Sequence, residues 1–540
     1  MFKDLKNNVI NQYRVGALLL FICVITALSW QSDDAYHAYV MAKNLVLGNG
    51  FVYNAGERVS ATSCPLFTLS IAAGYFVIRK MFVVSLLICV LFSSLAYAIV
   101  VKHFCKTKWQ VAGSFFAVTG SAVFISYTSA GLENCLLFLL TALFLKVYLK
   151  QETYRTRELL QIAVLVALIA MTRMDAALLV APMAVYAYLA KREKVPFIKA
   201  AGLAVLGLLP FILWELFSVF YYGFFVPNTA FVKLGTGIPE IEYIKRGVIY
   251  LLTSAVCDVL LLLIPCFAIL VTIFIGKWKE RFLSVGILIY FAYVIYIGGD
   301  FMLGRHFTVP FFMGLICLLH IQKNDFYGIK QGLMNRIAAF VLAIGLLCNL
   351  VSPVITSQFL FASGNSPIAD ERAGYFRYTS LFNNTIAYLK TGKLVLRDAW
   401  NEAGIEEIRQ QERTGGILKM VPGITMYYNS DLYLNDQYAL GDPFLSKLPA
   451  VREENWRIGH MWREVPEGYY ESAGYNENVL EDQDLQTYLD VIRLITRGKL
   501  TDPERIRAII DINLGKYDYL LENYAGALTK QNTDQGPAQD

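Results

Sequence analysis

The sequence predicts an α-helical polytopic membrane bundle of about eleven spans followed by a smaller α/β domain, and three observations lead there. The 540-residue chain is 56% hydrophobic and 14% aromatic but only 17% charged, well under the roughly 25% of ordinary soluble domains. Apolar runs near 15–31, 81–101, 110–127, 134–149, 158–172, 175–190, 198–222, 247–275, 282–298, 306–321 and 336–353 approach the ~20 residues a bilayer needs. From Ile355 onward cysteine disappears, and 27 acidic residues stand against 19 basic ones; residues 1–354 carry 29 basic and 16 acidic side chains. The expected division is therefore a membrane domain, 1–354, and a polar tail domain, 355–540.

The first run follows Lys3, Lys6 and Arg14 and lacks a small-residue cleavage site, so it reads as an uncleaved anchor. The segment 65–78 is apolar but only 14 residues long. Laid at the interface, it leaves one long external loop, 32–80. Its basic clusters Lys102, Lys106 and Lys108, then Lys150, Arg155 and Arg157, then Lys277, Lys279 and Arg281 all fall on the cytoplasmic side, as the positive-inside rule asks. The nine cysteines have neither zinc-site spacing nor the density of a disulfide framework. In the tail, 398–413, 481–498 and 501–515 have helical periodicity, 423–436 reads as a strand pair turning at Asn429 and Ser430, and the last ten residues read as disordered. The acidic balance of that tail argues against nucleic acid as a partner.

The same topology gathers the polar segments QSDDAYHAYVMAKN, TSAGLEN, TRMD, YYGFFVPNTAFVKLG and GGDFMLGR on the outer face. A carboxylate beside hydrocarbon is costly, so Asp33 and Asp34 are functional candidates by default. As helix neighbours they diverge by about 100°, which suits one as a general base and the other as an acceptor-orienting or cation-holding group. The plain alternative is a surface helix start with Ser32 as its N-cap. Arg173, Lys233, Arg305 and His306 could hold an anionic headgroup, although each has an ordinary explanation, such as snorkelling or an Arg173–Asp175 pair. Together these groups suit a sugar carried on a lipid phosphate: a carboxylate takes the acceptor hydroxyl's proton, and a cation or metal stabilises the departing phosphate.

The ordered set DDAYHAYVMAKNLVLGNGFVYNAGERVSATSCPLF, TSAGLEN, TRMD, VPNTAFVKLG, GGDFMLGRHFTVPF, YALGDPFLSKLPA and WRIGHMWREVPEGY resembles the membrane glycosyltransferases of the C superfamily. Within it, the likeness is to the terminal β-1,2-arabinofuranosyltransferase family of actinobacterial cell-wall arabinogalactan. The resemblance implies a GT-C-like bundle with a catalytic aspartate in the first external loop, here Asp33 or Asp34 with Asp33 the first choice, supported by Glu133. Alongside it, Arg173, Lys233, Arg305 and His306 are the candidate donor-phosphate contacts and Asp175, Asn228, Asp300, Asp442, Arg457 and His460 the candidate acceptor or sugar contacts, Asp442, Arg457 and His460 lying in tail stretches shared with the family. The turn Gly441-Asp442-Pro443 fits a structural role equally well. Mg²⁺ or Mn²⁺ could sit on Asp33 and Asp34, with Glu133. The expected partners are a polyprenyl-phosphate-linked sugar, a cell-wall or surface glycan acceptor and membrane lipid. The expected location is the bacterial cytoplasmic membrane, with site and tail on the extracytoplasmic face. A flippase for lipid-linked saccharides is the alternative; it calls for repeats and ligand groups open to both sides, and the sequence has no visible repeat.

Overall fold

A computed structural model describes residues 2–192, 194–233, 236–321, 331–360, 367–392, 395, 402–451 and 456–534. The chain divides into two compact units: Met1–Ser32, Phe82–Ile212 and Glu240–Val395 form the first, and Asp33–Met81, Leu213–Pro239 and Leu396–Asp540 the second.

The first unit is a helix bundle. Every apolar run named above is helical. Val9–Ala27, Met81–His103 and Phe197–Tyr222 are long and apolar enough to cross a membrane, with a fourth span if Glu240–Cys257 and Val259–Ile275 count as one. Met174–Leu189, Arg305–Ile321 and Asn335–Val351 are shorter apolar helical stretches, and the helix begun at Gln331 continues to Leu360.

Two of the runs are not continuous. The expected span 110–127 breaks at Ser121 into Lys108–Gly120 and Ala122–Tyr127, and 247–275 bends by 106° at Asp258. One carboxylate explains both. Asp258 accepts hydrogen bonds from Ser121 Oγ at 2.6 Å, from the Val123 amide at 3.0 Å and from the Leu261 amide at 3.2 Å. It thereby satisfies the exposed first amides of two helices at once. Asn349 donates to the same carboxylate at 2.7 Å and to the Gly120 carbonyl at 2.9 Å, closing the knot. Elsewhere the helices touch backbone to backbone. A Cβ at Gly247 would collide with the Ile295 main chain and one at Gly286 with that of Leu179, the close approach that small residues permit.

The second unit is built on the helix Asp33–Leu47, the helix Pro65–Ile78 and the tail. Val40, Met41, Phe51, Tyr53, Tyr222, Met426 and Leu434 share one apolar core; Phe444, Leu445, Tyr469, Tyr488, Leu489 and Ile492 belong to another. The expected strand pair within 423–436 is corrected. Gly423–Tyr428 is a helix, and Tyr433–Asp436 (β2) pairs instead with Gly415–Leu418 (β1), in parallel, Gly415 opposite Tyr433. The helix forms because its first amides find an acceptor far away in sequence, as described below. Gln483–Arg497 and Pro503–Asn513 are helical as expected, with Asp482 and Asp502 capping them. The helix expected over 398–413 is seen at Glu402–Gln410, its first residues lying outside the described ones. Tyr519–Asp534 is helical, so the expected disorder of the last ten residues does not hold for 531–534; 535–540 lie outside the described residues.

Candidate functional site

Within the second unit, Asp33 opens the helix Asp33–Leu47 and is 8% exposed. Its two carboxylate oxygens accept the backbone amides of Gly423 at 2.8 Å and Ile424 at 2.9 Å. Asp33 is therefore the acceptor that starts the Gly423–Tyr428 helix, from 390 positions upstream. Residue 423 must be glycine for this, since a Cβ there would meet the Asp33 carbonyl and Tyr36. Ser32, the expected N-cap, keeps its buried hydroxyl without a hydrogen-bond partner among the described residues.

Asp34 is half-buried. His37 lies one turn along, and one ligand atom each from Asp33, Asp34 and His37 falls within 4.8 Å of the others. His37 Nδ1 meets the Tyr53 hydroxyl at 2.9 Å, which fixes the ring and leaves Nε2 as its other polar atom. Burial raises the Asp33 pKa; the charge of His37 and the two amides pull the other way, and Asp34 adds to the rise. Burial likewise pushes Asp436 up to about 6 despite the Val421 and Ala439 amides and His37. Two carboxylates and an imidazole form an oxygen-rich ligand set of the kind that suits Mg²⁺ or, with the imidazole, Mn²⁺; these three residues would hold it.

Within the first unit, Glu133 is 1% exposed and sits at the junction leading into the helix Asn134–Lys150. Both Arg173 and Arg305 reach it. Arg305 Nη2 donates to the two Glu133 oxygens at 2.9 and 3.0 Å, and Arg173 Nη1 to Oε1 at 3.2 Å. Arg173 also makes a two-point pair with Asp175, at 3.0 and 2.7 Å. Burial alone would raise the Glu133 pKa, but Arg305 and then Arg173 outweigh it and hold the carboxyl below its ordinary value.

His306 extends this network. Its Nδ1 receives Arg173 Nη2 at 3.4 Å and lies 2.9 Å from the Tyr290 hydroxyl, while Nε2 faces Asp300 at 3.7 Å. A guanidinium can only donate, so the hydrogen bonding assigns the ring proton to Nε2, on the Asp300 side. Asp300 Oδ1 accepts the Phe301 amide at 2.9 Å. Residues expected as separate phosphate and sugar contacts are thus joined into a single buried ion-pair network.

The tail residues divide. Asn228 donates to the carbonyls of Ala439, Leu440 and Asp442, each at 3.0 Å, and accepts from Ser446 Oγ at 2.8 Å. Asp442 is fully buried; it accepts the Phe444 and Leu445 amides at 2.9 and 2.8 Å and the Tyr469 hydroxyl at 3.0 Å, and burial pushes it up to about 7. These two staple the 439–446 turn. Arg457 and His460 pair across a tight turn, the His460 ring 5.1 Å from Tyr438, which itself lies 4.4 Å from Trp462. Lys233 ends the short helix Asn228–Lys233, its Cε beside Gly459.

Sequence reasoning missed His37, Tyr53 and Tyr290. The signal for His37 was present: it follows Asp33 by four residues and Asp34 by three, both same-face spacings on a helix.

No protein-family model matches this sequence, and no curated protein does. Among solved structures, the chain is similar to the crystal structure of ArnT from Cupriavidus metallidurans bound to undecaprenyl phosphate. The TM-score is 0.43 at 12% identity, covering 78% of this chain and 85% of that chain. At that score the functional assignment rests on this chain's own side chains.

Proposed function

We propose that the protein is an inverting glycosyltransferase that moves a sugar from a polyprenyl-phosphate donor to a glycan acceptor on the extracytoplasmic face of a bacterial membrane. The observation that carries the reading is the Asp33, Asp34 and His37 cluster, pinned by the Gly423 and Ile424 amides, in a chain with helices long enough to cross a membrane. Asp34 is the base. Asp33 has both oxygens engaged by main-chain amides and organises the site, whereas Asp34 is half-buried and open to an incoming hydroxyl. The acceptor oxygen attacks C1 of the sugar, its proton passes to Asp34, and the C1–O bond breaks with its electron pair leaving on the lipid phosphate. One displacement inverts C1, and a phosphate departs without an acid catalyst.

Within the first unit, Arg173 and Arg305 are held in fixed orientations by Glu133, which suits rigid guanidinium donors to a phosphate; within the second, Lys233 is a further candidate cation. Asn228 and Asp442 are scaffold. Arg457, His460 and the Tyr438 and Trp462 rings offer a sugar-binding face in the tail. An actinobacterial-type arabinofuranosyl donor is the first to try. The test incubates purified protein in nanodiscs with a panel of polyprenyl-phosphate sugars and a cell-envelope glycan, reading release of polyprenyl phosphate and the anomeric configuration of the product. Transfer with inversion, lost in Asp34→Asn, is expected. Transfer with retention, or ATP-independent movement of intact donor across the bilayer without transfer, would refute it.

A further inference from the structure

The helix pair Glu371–Thr379 and Leu381–Thr391 belongs to the first unit and is used by none of the chemistry above. Its second helix has a one-sided apolar face: Phe382, Ile386 and Leu389, spaced i, i+4 and i+7, are 61, 36 and 79% exposed, with Tyr378 and Tyr388 exposed beside them. A free stripe of this kind has no place in water unless something apolar covers it.

The pair is tied to the end of the first apolar helix. The Leu381 amide donates to the Ser29 carbonyl at 3.1 Å, and Thr379 Oγ1 donates to the Gln31 carbonyl at 2.6 Å while accepting the Gln31 amide. Since Val9–Ala27 is apolar enough to span a bilayer, these bonds place the stripe at the depth where that span ends. Asn384, buried on the opposite side, donates to the Tyr378 and Ser380 carbonyls at 2.8 and 2.9 Å and fixes which side faces out.

Beside the stripe is an open surface pocket of about 410 Å³ lined by Asp370, Arg372, Ala373, Phe376, Arg377 and Asn383. Asp370 turns its carboxylate to the start of its own helix, accepting the Ala373 amide at 3.2 Å. Arg372 lies over the Phe376 ring, 4.7 Å from its centre, and Asn383 bonds the Phe376 and Arg377 carbonyls, joining the two helices around the pocket. Two guanidinium groups against one capped carboxylate make the pocket anion-attracting.

An apolar stripe and a cationic pocket on one short helix pair, hung from the end of a membrane helix, match an amphiphile. A soluble phosphate would leave the stripe uncovered. We propose that this helix pair lies in the membrane–water interface and that its pocket takes the phosphate of an anionic phospholipid. The proposal is independent of the transfer chemistry.

The test has two arms on the full-length protein. In the first, Leu389→p-benzoylphenylalanine in bilayers is photolysed; lipid adducts are expected, and their absence would overturn the interfacial placement. In the second, native mass spectrometry compares retention of phosphatidylglycerol with phosphatidylcholine. Preferential phosphatidylglycerol retention is expected, weakened roughly tenfold or more in the double variant Arg372→Gln and Arg377→Gln and largely kept in Arg372→Lys with Arg377→Lys. Equal retention of both lipids, no loss in the glutamine variant, or displacement of phosphatidylglycerol by millimolar inorganic phosphate would each refute it.

Discussion

Replacing each aspartate of the Asp33-Asp34 pair separately should separate scaffold from chemistry. In Asp33→Asn one oxygen can still accept the Gly423 or Ile424 amide, but the other position becomes an NH₂ facing a second donor. One charge-assisted hydrogen bond is lost and a buried amide is left unsatisfied, together about 2–4 kcal/mol. Burial raises the Asp33 pKa, so part of that loss is offset by removing a charge from a dry site, and the lower half of the range is expected. For a unit of this size the melting transition should fall by about 4–12 °C. Asp34 is half-buried and starts no helix; Asp34→Asn should leave the transition within about 0.5 kcal/mol of wild type while cutting transfer at least ~100-fold. Both are read on one preparation, by tryptophan fluorescence on heating and by release of polyprenyl phosphate. If Asp33→Asn melts normally with no activity and Asp34→Asn turns over, the two roles are reversed and the reasoning from the amide bonds fails.

Glu133→Gln leaves Arg173 and Arg305 facing each other without their shared anion, a buried-pair disruption expected to cost about 3–5 kcal/mol. Arg305→Lys should lose less stability than Arg305→Ala, and equal losses by thermal melting would show that charge at that position is irrelevant. The acid side is informative for the tail. Asp436 and Asp442 have folded-state pKa values of about 6 and about 7 against 3.8 ordinarily, so the folded state binds protons the unfolded chain releases. Their contribution is fully present below pH 4 and lost as pH rises through 6 to 7. The second unit should therefore melt lower at pH 8 than at pH 5, and Asp442→Asn should flatten that dependence; an unchanged slope would reject the assignment. Added Mn²⁺ should raise the melting temperature of wild type but not of His37→Ala if Asp33, Asp34 and His37 hold a cation, and equal shifts in both would place the ion elsewhere.

Much of the architecture was legible because membrane helices are written in composition. Each long apolar run became a helix, and the caps Asp482 and Asp502 were readable from their position ahead of amphipathic segments. What escaped were the breaks. Asp258 looks like one polar residue in an apolar run; only contacts with Ser121 and Asn349, both distant in sequence, turn it into a bend. The strand error at 423–428 has the same cause. Gly-Ile-Thr-Met-Tyr-Tyr has good strand propensity, and a carboxylate 390 positions away decides otherwise. At the candidate site, residue types singled out Glu133, Arg173 and Arg305 but not their partnering: no pattern in one dimension says that two arginines share one glutamate. Asn228 and Asp442 look like ligand groups in sequence because turns and sugar sites favour the same side chains.

The bond between Asp33 and the Gly423 amide also has a temporal meaning. On a ribosome adding about 5–20 residues per second, roughly 20–80 s separate the appearance of the two partners. Throughout that interval the nascent chain carries Asp33 and Asp34 in a segment whose native fastening has not yet been made. The native fastening of Asp33 should therefore arrive late and abruptly, when the 423–424 stretch emerges, rather than accumulate as each helix inserts. A chain halted before residue 423 would hold Asp33 without the amides that fasten it, a built-in delay in which the first external segment waits for the tail.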